Sequence, residues 1–446
     1  MILSGWGRYP RLDCEARLAR DEEGLRRTLA AAAETGRPLI ARGNGRSYGD
    51  SALQPLGTVG MRGMNHILGF DPATGIVTAE AGVLLDDLIS VFLPQGWFPW
   101  VTPGTRFVTV GGMIASDVHG KNHHRDGSFG NFVAWIDVMG PDGTVRRCSP
   151  DDEAGLFAAT VGGMGLSGVI LRAAFRLRPV ETGWIRQRTI PTAGLDATIA
   201  AFEANADATY SVAWIDCMAT GAALGRSLLT LGEHARIGEL PEEARARPLT
   251  LDLARKRKVP LDAPGFALNR WSVSAFNALY YRRGAAQAGS ALVPWDSYFY
   301  PLDALLEWNR IYGRRGFAQY QCVLPLDASA EGLRALLTEI SASGRSSFLT
   351  VLKRMGPEGL GRIGFPMEGY TLALDFPMSA GTLGLLRRLD EIVLAHGGRF
   401  YLAKDSRIAA DTLRRADPRA ADFRSLREEA GLSGRFASAQ SERLIL

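Results

Sequence analysis

The chain has 446 residues, 46% hydrophobic and 22% charged, enough apolar material for a substantial core and for two or three domains rather than one. Its 51 basic and 47 acidic side chains leave a net charge of +4, too balanced for a surface devoted to a polyanion, so nucleic acid is not an expected partner. Cys14, Cys148, Cys217 and Cys322 are scattered with no Cys-x-x-Cys spacing, which indicates reduced thiols rather than a disulfide framework or a zinc site.

In chain order, Met1 to Arg8 carries no cationic leader followed by a long apolar run, so no secretory signal is legible. Asp21 to Thr35 predicts a helix with Leu25 and Leu29 on one face, early acids and Gly36 as its stop. Pro38 to Arg42 predicts a strand that runs straight into a glycine-rich turn, Gly43 to Asp50. Gly75 to Ala81 is a further strand candidate and Leu84 to Leu93 a helix; Thr102 to Gly112 is turn-rich and ends on Gly111-Gly112. The most apolar window, Val83 to Trp100, is broken by Asp86, Asp87, Pro94 and Gly96 and does not suit a bilayer span. Phe132 to Met139, Thr144 to Cys148 and Val169 to Arg178 read as strands, the last preceded by a third glycine cluster at 162–168. Beyond Pro179 the glycine turns thin out. Strands are expected at Ser211–Ile215, Ala318–Leu324, Ser347–Leu352 and Tyr370–Phe376, with helices at Ala330–Ser343 and Ala380–His396, a pattern that predicts a second α+β domain covering the first.

Backbone N–H groups exposed in glycine turns form anion-binding concavities and let the chain approach a pyrophosphate closely. Three such loops in one unit make a nucleotide cofactor a candidate. There is no Gly-x-x-x-x-Gly-Lys-Ser/Thr, and no Gly-x-Gly-x-x-Gly in a clean βαβ unit, so the P-loop and Rossmann alternatives fail. Three of the six histidines are His119, His123 and His124, but no acidic or thiol cluster accompanies them, and adjacent His123 and His124 would point apart on a strand. No metal is indicated, and backbone hydrogen bonds are expected for those two. Only Lys121, Lys256, Lys258, Lys353 and Lys404 interrupt a basic set that is otherwise all arginine. Each lysine therefore matters, because an ammonium has a tunable pKa and a guanidinium does not.

A long series of segments carries a family likeness: Gly5-Trp6-Gly7-Arg8, Ala41 through Asp50, Pro103-Gly104-Thr105, Thr109 to Gly112, Asp117 to His124, Gly127 to Asn131 and Ala159 to Gly163. Late in the chain come Glu307-Trp308-Asn309-Arg310, Gln319-Tyr320-Gln321 and Ala403 to Arg407. In these segments the sequence resembles the PCMH-type FAD-binding flavoproteins of the vanillyl-alcohol-oxidase type, and most closely the decaprenylphosphoryl-β-D-ribose 2′-oxidase family of arabinan biosynthesis. The resemblance implies a two-domain α+β fold, with a discontinuous flavin domain at 1–182 and 399–446 around an antiparallel-sheet substrate domain at 183–398. It implies FAD held by Arg42, Gly43, Asn44, Gly45, Arg46, Ser47, Tyr48, Gly49 and Asp50. Gly104, Thr109, Val110, Gly111, Gly112, Ser116, His119, Gly165, Ile170 and Tyr401 complete that expected shell. Arg46 stands where covalent relatives carry the histidine bonded to flavin, so noncovalent FAD is expected.

The resemblance further implies that a sugar hydroxyl is oxidised by hydride transfer to flavin, with Lys404, His119 and Tyr48 at the reacting centre. Lys121, Trp214, Gln319, Gln321 and Lys353 are the expected substrate contacts. Hydride loss from a carbinol needs the hydroxyl proton removed or the alkoxide stabilised. Lys404, with an ordinary pKa of about 10.4, does the first only if burial lowers that value and otherwise acts as a fixed cation. The family's pocket cysteine is Ala373 here, its asparagine Thr371, and Phe436-Ala437-Ser438-Ala439 lacks an aspartate after the serine, which leaves the exact sugar open.

The implied substrate is a polyprenyl-phosphate-linked pentose, with a separate ketoreductase completing epimerisation. A soluble alditol or aldonolactone is the alternative, disfavoured because those oxidases carry His-Trp-Gly-Lys where Tyr401-Leu402-Ala403-Lys404 stands; a flavin-binding module without turnover is a third. The expected location is cytoplasmic, with peripheral contact at the inner membrane through Arg255-Lys256-Arg257-Lys258 and the apolar Phe266-Ala267-Leu268, or with that run as a solvated loop.

Overall fold

The computed structural model describes residues 1–251, 256–265, 268–345 and 347–446. Near the N-terminus the helix Glu22–Glu34 forms as its pattern predicts: the Asp21 side chain caps it by accepting from the Gly24 N–H at 2.6 Å, and Leu25 and Leu29 are buried. They pack on Leu39, Val59 and Phe436. Three short parallel strands, Ala16–Leu18, Thr58–Gly60 and Ile40–Arg42, lie side by side with Thr58–Gly60 central. Ile40–Arg42 delivers the chain directly into the glycine loop at Gly43.

An antiparallel sheet follows, in the order Val145–Cys148, Val133–Met139, Val169–Pro179, Ile76–Glu80, Ile67–Asp71, with Trp97–Pro99 paired to the far end of Val169–Pro179. The helix Leu85–Phe92 covers its apolar side with Leu85, Leu88, Ile89 and Phe92. One expectation changes here. The turn-rich stretch ending at Gly112 is instead the start of a helix, Val110–Ala115, because the Thr109 hydroxyl accepts from the Gly112 N–H and caps it.

The second sheet has eight antiparallel strands in the order Gly289–Pro294, Trp184–Thr192, Ser227–His234, Tyr210–Ile215, Thr350–Met355, Gly369–Pro377, Phe317–Pro325, Arg399–Phe400. The helices Leu195–Glu203, Ser329–Ser343 and Thr382–Ala395 cover one face with Phe202, Leu333, Leu336, Leu337, Leu385 and Leu389 against Tyr320, Cys322, Leu352, Leu372 and Leu374. Each leucine so buried contributes about 1.5–3 kcal/mol. Side chains alternate along a strand, so committing 320, 322, 372 and 374 to this core turns Gln319, Gln321, Ala373 and Asp375 to the opposite face. The strand expected at Ser347–Leu352 begins at Thr350, because the Ser347 hydroxyl is taken up by the Leu349 carbonyl and the Asp375 N–H.

Past residue 400 the chain returns to the glycine loop. Leu39 N–H donates to the Arg435 carbonyl, Ala437 N–H to that of Leu39, and the Arg443 guanidinium pairs with Asp50. Among the described residues no helix is long and apolar enough to cross a membrane.

Candidate active site

The glycine loop is clamped from two sides. Trp6 and Gly7 N–H groups donate to the carbonyls of Ser47 and Tyr48, and Tyr48 N–H donates to that of Ala403. A Cβ on Gly49 would lie 2.0 Å from the Asp405 carbonyl oxygen, and one on Gly43 would lie 2.2 Å from the Thr109 hydroxyl. Gly45, at φ +63°, occupies the left-handed region. This loop, the capped turn at Thr109 and the turn at Gly165 line one cleft. At Gly43 and Gly49 a Cβ would clash, so only glycine lets the backbone line the cleft this closely, and a wall of glycine backbone suits a pyrophosphate.

Of the sequence-predicted cofactor residues, Arg42 through Gly49, Gly104, Thr109, Gly111, Gly112, Ser116, His119, Gly165, Ile170 and Tyr401 line the cleft. Two do not. Val110 is buried in the apolar core, and Asp50 lies behind the loop, held by Arg443 at 2.8 Å. Asn44 donates to the Phe107 carbonyl and Arg42 to that of Ser4, so both are pinned. The Arg46 guanidinium lies over the Trp6 ring at 4.2 Å and faces Asp303.

The sheet's open face supplies the rest. Gln319, Gln321, Val351, Lys353 and Ala373 meet Lys404, Tyr48 and His119 in the same cleft. Lys404 Nζ sits 3.8 Å above the Tyr48 ring. His119 Nδ1 is 3.1 Å from Lys353 Nζ, and its Nε2 is 3.1 Å from the Gln321 amide nitrogen. Burial, then the charge of Lys353, drives the His119 pKa well below its ordinary value, so the ring is neutral and carries one N–H. The charge on Lys353 and the orientation of the Gln321 amide are thereby coupled through the imidazole. Burial lowers Lys353 to about 7. Burial also lowers Lys404, against the opposing pull of Asp375, while the Tyr48 phenol is pushed well above its ordinary value and stays protonated.

Two expected substrate contacts lie elsewhere. Lys121 Nζ donates to the Tyr298 carbonyl and rests 4.0 Å over that ring, outside the cleft lining. Trp214 donates its indole N–H to the Phe348 carbonyl and packs 4.8 Å from Tyr280. His123 and His124 belong to a short helix, His123–Asp126, not a strand; His123 Nδ1 accepts from Gly356 N–H and His124 Nε2 donates to the Ala208 carbonyl. Trp6, Asp303 and Asp375 also belong to this region, though nothing in the sequence marks them as site residues. Asp303 accepts from the Thr105 hydroxyl and the Arg106 N–H at the cleft wall, and Asp375 accepts from Gln319 at 2.6 Å.

A model described as an FAD binding domain matches residues 16–149, the stretch that contains the glycine loop and the Thr109 turn. A solved structure, the BBE-like 1 protein of Physcomitrella patens, superposes with a TM-score of 0.66 at 12% identity over 93% of this chain and 88% of that one, which shows a common fold. Mouse L-gulonolactone oxidase is 32% identical over 155 residues, 35% of each chain. The fold and the glycine-lined cleft define an FAD-dependent oxidoreductase of the PCMH type. Decaprenylphosphoryl-β-D-ribose oxidase of Mycolicibacterium smegmatis is 40% identical over 450 residues, covering 100% of this chain and 97% of that protein. The chain belongs to the decaprenylphosphoryl-β-D-ribose oxidase family.

Proposed function

We propose that this chain oxidises a secondary hydroxyl of a polyprenyl-phosphate-linked pentose to a ketone, with residues 1–182 and 399–446 holding noncovalent FAD and 183–398 holding the sugar. The carrying observation is that Lys404, Tyr48, His119, Lys353, Gln319 and Gln321 converge on one cleft with the glycine loop. FAD supplies a hydride acceptor when bound. The glycine loop from Gly43 to Ser47 and the turn at Gly165 would hold its phosphates, and Tyr401, fixed by its hydroxyl on the Ser116 carbonyl at 2.8 Å, would flank it. Arginine forms no flavin link, and Arg46 is already stacked on Trp6.

Lys404 takes the proton of the substrate hydroxyl or, when charged, stabilises the developing alkoxide; burial, which lowers its proton affinity, favours the first role. Gln319 and Gln321 line the cleft where the sugar hydroxyls would bind, and Lys353, 3.1 Å from His119 Nδ1, would meet an anionic group. Ala373 leaves the cleft wall without a thiol.

A lipid-linked substrate also implies a separate ketoreductase and contact with an anionic membrane. In the basic run, Lys256 lies 4.7 Å over Phe107 and Lys258 pairs with Glu307 at 2.9 Å. Arg255, Phe266 and Ala267 lie outside the described residues. Membrane contact through that run is therefore the part to test separately, by co-sedimentation with anionic against neutral vesicles at low and high salt. The central test is anaerobic mixing with decaprenylphosphoryl-β-D-ribose. Bleaching of the yellow flavin supports the proposal, whereas bleaching by free alditols or aldonolactones alone overturns it.

A further inference from the structure

Thr371 is buried and stands directly opposite Lys353 in the strand pair, on the face that Gln321 and Ala373 turn to the cleft. Its hydroxyl has one hydrogen, which goes to the Cys322 carbonyl at 2.8 Å. The oxygen is then left to accept, and the Gln321 amide nitrogen lies 3.1 Å from it. The same nitrogen is 3.1 Å from His119 Nε2, and His119 Nδ1 is 3.1 Å from Lys353 Nζ. Four side chains therefore form one line of hydrogen bonds that starts at a fixed backbone carbonyl.

Because one end is anchored, the hydrogens can be counted along it. The Gln321 NH2 has two, one for Thr371 and one for His119 Nε2. Turning the amide over would set its oxygen against the Thr371 hydroxyl, whose single hydrogen cannot serve both that oxygen and the Cys322 carbonyl. With the NH2 in place Nε2 accepts, so the neutral imidazole carries its hydrogen on Nδ1 and donates to Lys353, which must offer a lone pair. An ammonium at Lys353 reverses the line: Nδ1 accepts, Nε2 donates, and Gln321 has to present its oxygen. The Thr371 hydroxyl and a proton on Lys353 thus demand opposite orientations of Gln321.

On the function proposed above, we propose that Thr371 is the positioning residue that orients Gln321: its hydroxyl holds the amide nitrogen inward, leaves the amide oxygen to the cleft as an acceptor for a sugar hydroxyl, and tilts Lys353 toward the uncharged amine until an anionic group in the cleft favours the ammonium. Thr371 acts through Gln321 and His119. The other titratable groups whose charge reaches the imidazole are His123 and Lys404, and Lys121 lies in the field of Lys353. They are common to wild type and to every variant at Thr371, so a difference among these proteins reports the hydroxyl.

The test is the tautomer of His119 in FAD holoenzymes labelled with nitrogen-15 histidine, read without substrate from long-range proton–nitrogen NMR spectra and assigned against His119→Gln. Wild type is expected to carry the hydrogen on Nδ1 at pH 9 and to move it to Nε2 as Lys353 takes a proton, near its lowered value of about 7. Thr371→Val keeps the shape and removes the hydroxyl, so Lys353 no longer breaks the Gln321–Thr371 bond on gaining its proton. The changeover should then move to higher pH by at least half a pH unit, about threefold in the equilibrium, and Thr371→Ser should return it to the wild-type position. A hydrogen on Nε2 in wild type at pH 9 overturns the proposal with no variant needed, and so does a changeover that Thr371→Val leaves in place or that Thr371→Ser moves equally, which is packing alone. Flavin bleaching by decaprenylphosphoryl-β-D-ribose is read separately: the expected tautomers in a protein that this sugar never bleaches uphold the part given to Thr371 and overturn the substrate.

Discussion

Replacing Arg443 with methionine isolates the link between the chain's last helix and the glycine loop. Its guanidinium donates to both oxygens of Asp50, at 2.8 and 3.2 Å, to Asp405 at 2.9 Å and to the Ile408 carbonyl at 2.6 Å. Asp50 and Asp405 are 4% and 6% exposed, so the substitution strands buried carboxylates. Removing one partner of a buried pair costs about 3–5 kcal/mol. Asp405 keeps bonds from the Arg407 and Ile408 N–H groups and from Gln440, which places the loss at the lower end, about 3 kcal/mol, carried mainly by Asp50. At about 1.4 kcal/mol per decade this is about a hundredfold in the local opening equilibrium. Native-state hydrogen exchange, read by mass spectrometry on peptides spanning 400–408 and 436–446, should show that loss of protection, and Asp50→Asn/Arg443→Met should recover at least half of it. A loss of protection under about fivefold, equivalent to about 1 kcal/mol, would reduce the contact to the rank of a surface ion pair and refute the reasoning.

Lys404→Ala should retain FAD by absorbance yet lose about 10²–10³ in the rate of anaerobic flavin reduction, since it removes the charge at the reacting centre. Acid precipitation of the holoenzyme should release all of its FAD to the supernatant; flavin remaining on the pellet would contradict the part given to Arg46. The four cysteines are buried, so the native enzyme should resist iodoacetamide, whereas Ala373→Cys should take up one equivalent in the cleft. Burial brings Lys121 and Lys353 down to about 7, so between that pH and about 10 the unfolded chain binds protons that the folded chain does not. Stability of the FAD-free protein should therefore rise with pH through this window, and a melting temperature that falls from pH 7 to pH 9 would show that these lysines are not buried as described.

The glycine loop was legible because its constraint is local: a strand ending at Arg42, then positions such as Gly45 at positive φ and Gly49 against the Asp405 backbone, where no Cβ fits. Gln319 and Gln321 came through the family resemblance, and their alternation with the buried Tyr320 and Cys322 along one strand is what turns them to the cleft. The places of Lys121 and Trp214 were not legible, because the carbonyls that hold them belong to residues 177 and 134 positions away. An aspartate in a sequence reads as a solvated residue, and only the packed fold reveals Asp303 and Asp375 as buried acceptors. The helix Arg270–Ala286 escaped notice because its large apolar residues form no stripe. Trp271 and Leu279 are exposed while Val273 and Asn277 are buried, so the 3.6-residue period is absent.

The electrostatics of the cleft show what Lys353 and Lys404 offer in a chain whose basic residues are nearly all arginine. A guanidinium stays charged under any burial this fold provides, whereas Lys353 and Lys404 are both moved toward neutrality by desolvation, and the charge of Lys353 lowers Lys404 further. Burial, with the charges of Lys353 and Lys404 added to it, keeps His119 neutral, so the imidazole lies between Lys353 and Gln321 without adding a third cation. Two buried acids stand at the cleft's walls: Asp375, behind Gln319, whose charge works against the lowering of Lys404, and Asp303, which lines the cleft beside Arg46. An anionic ligand entering between those walls meets cations that gain stability from its charge, while the acids that keep them poised are already committed to hydrogen bonds and do not repel it at close range.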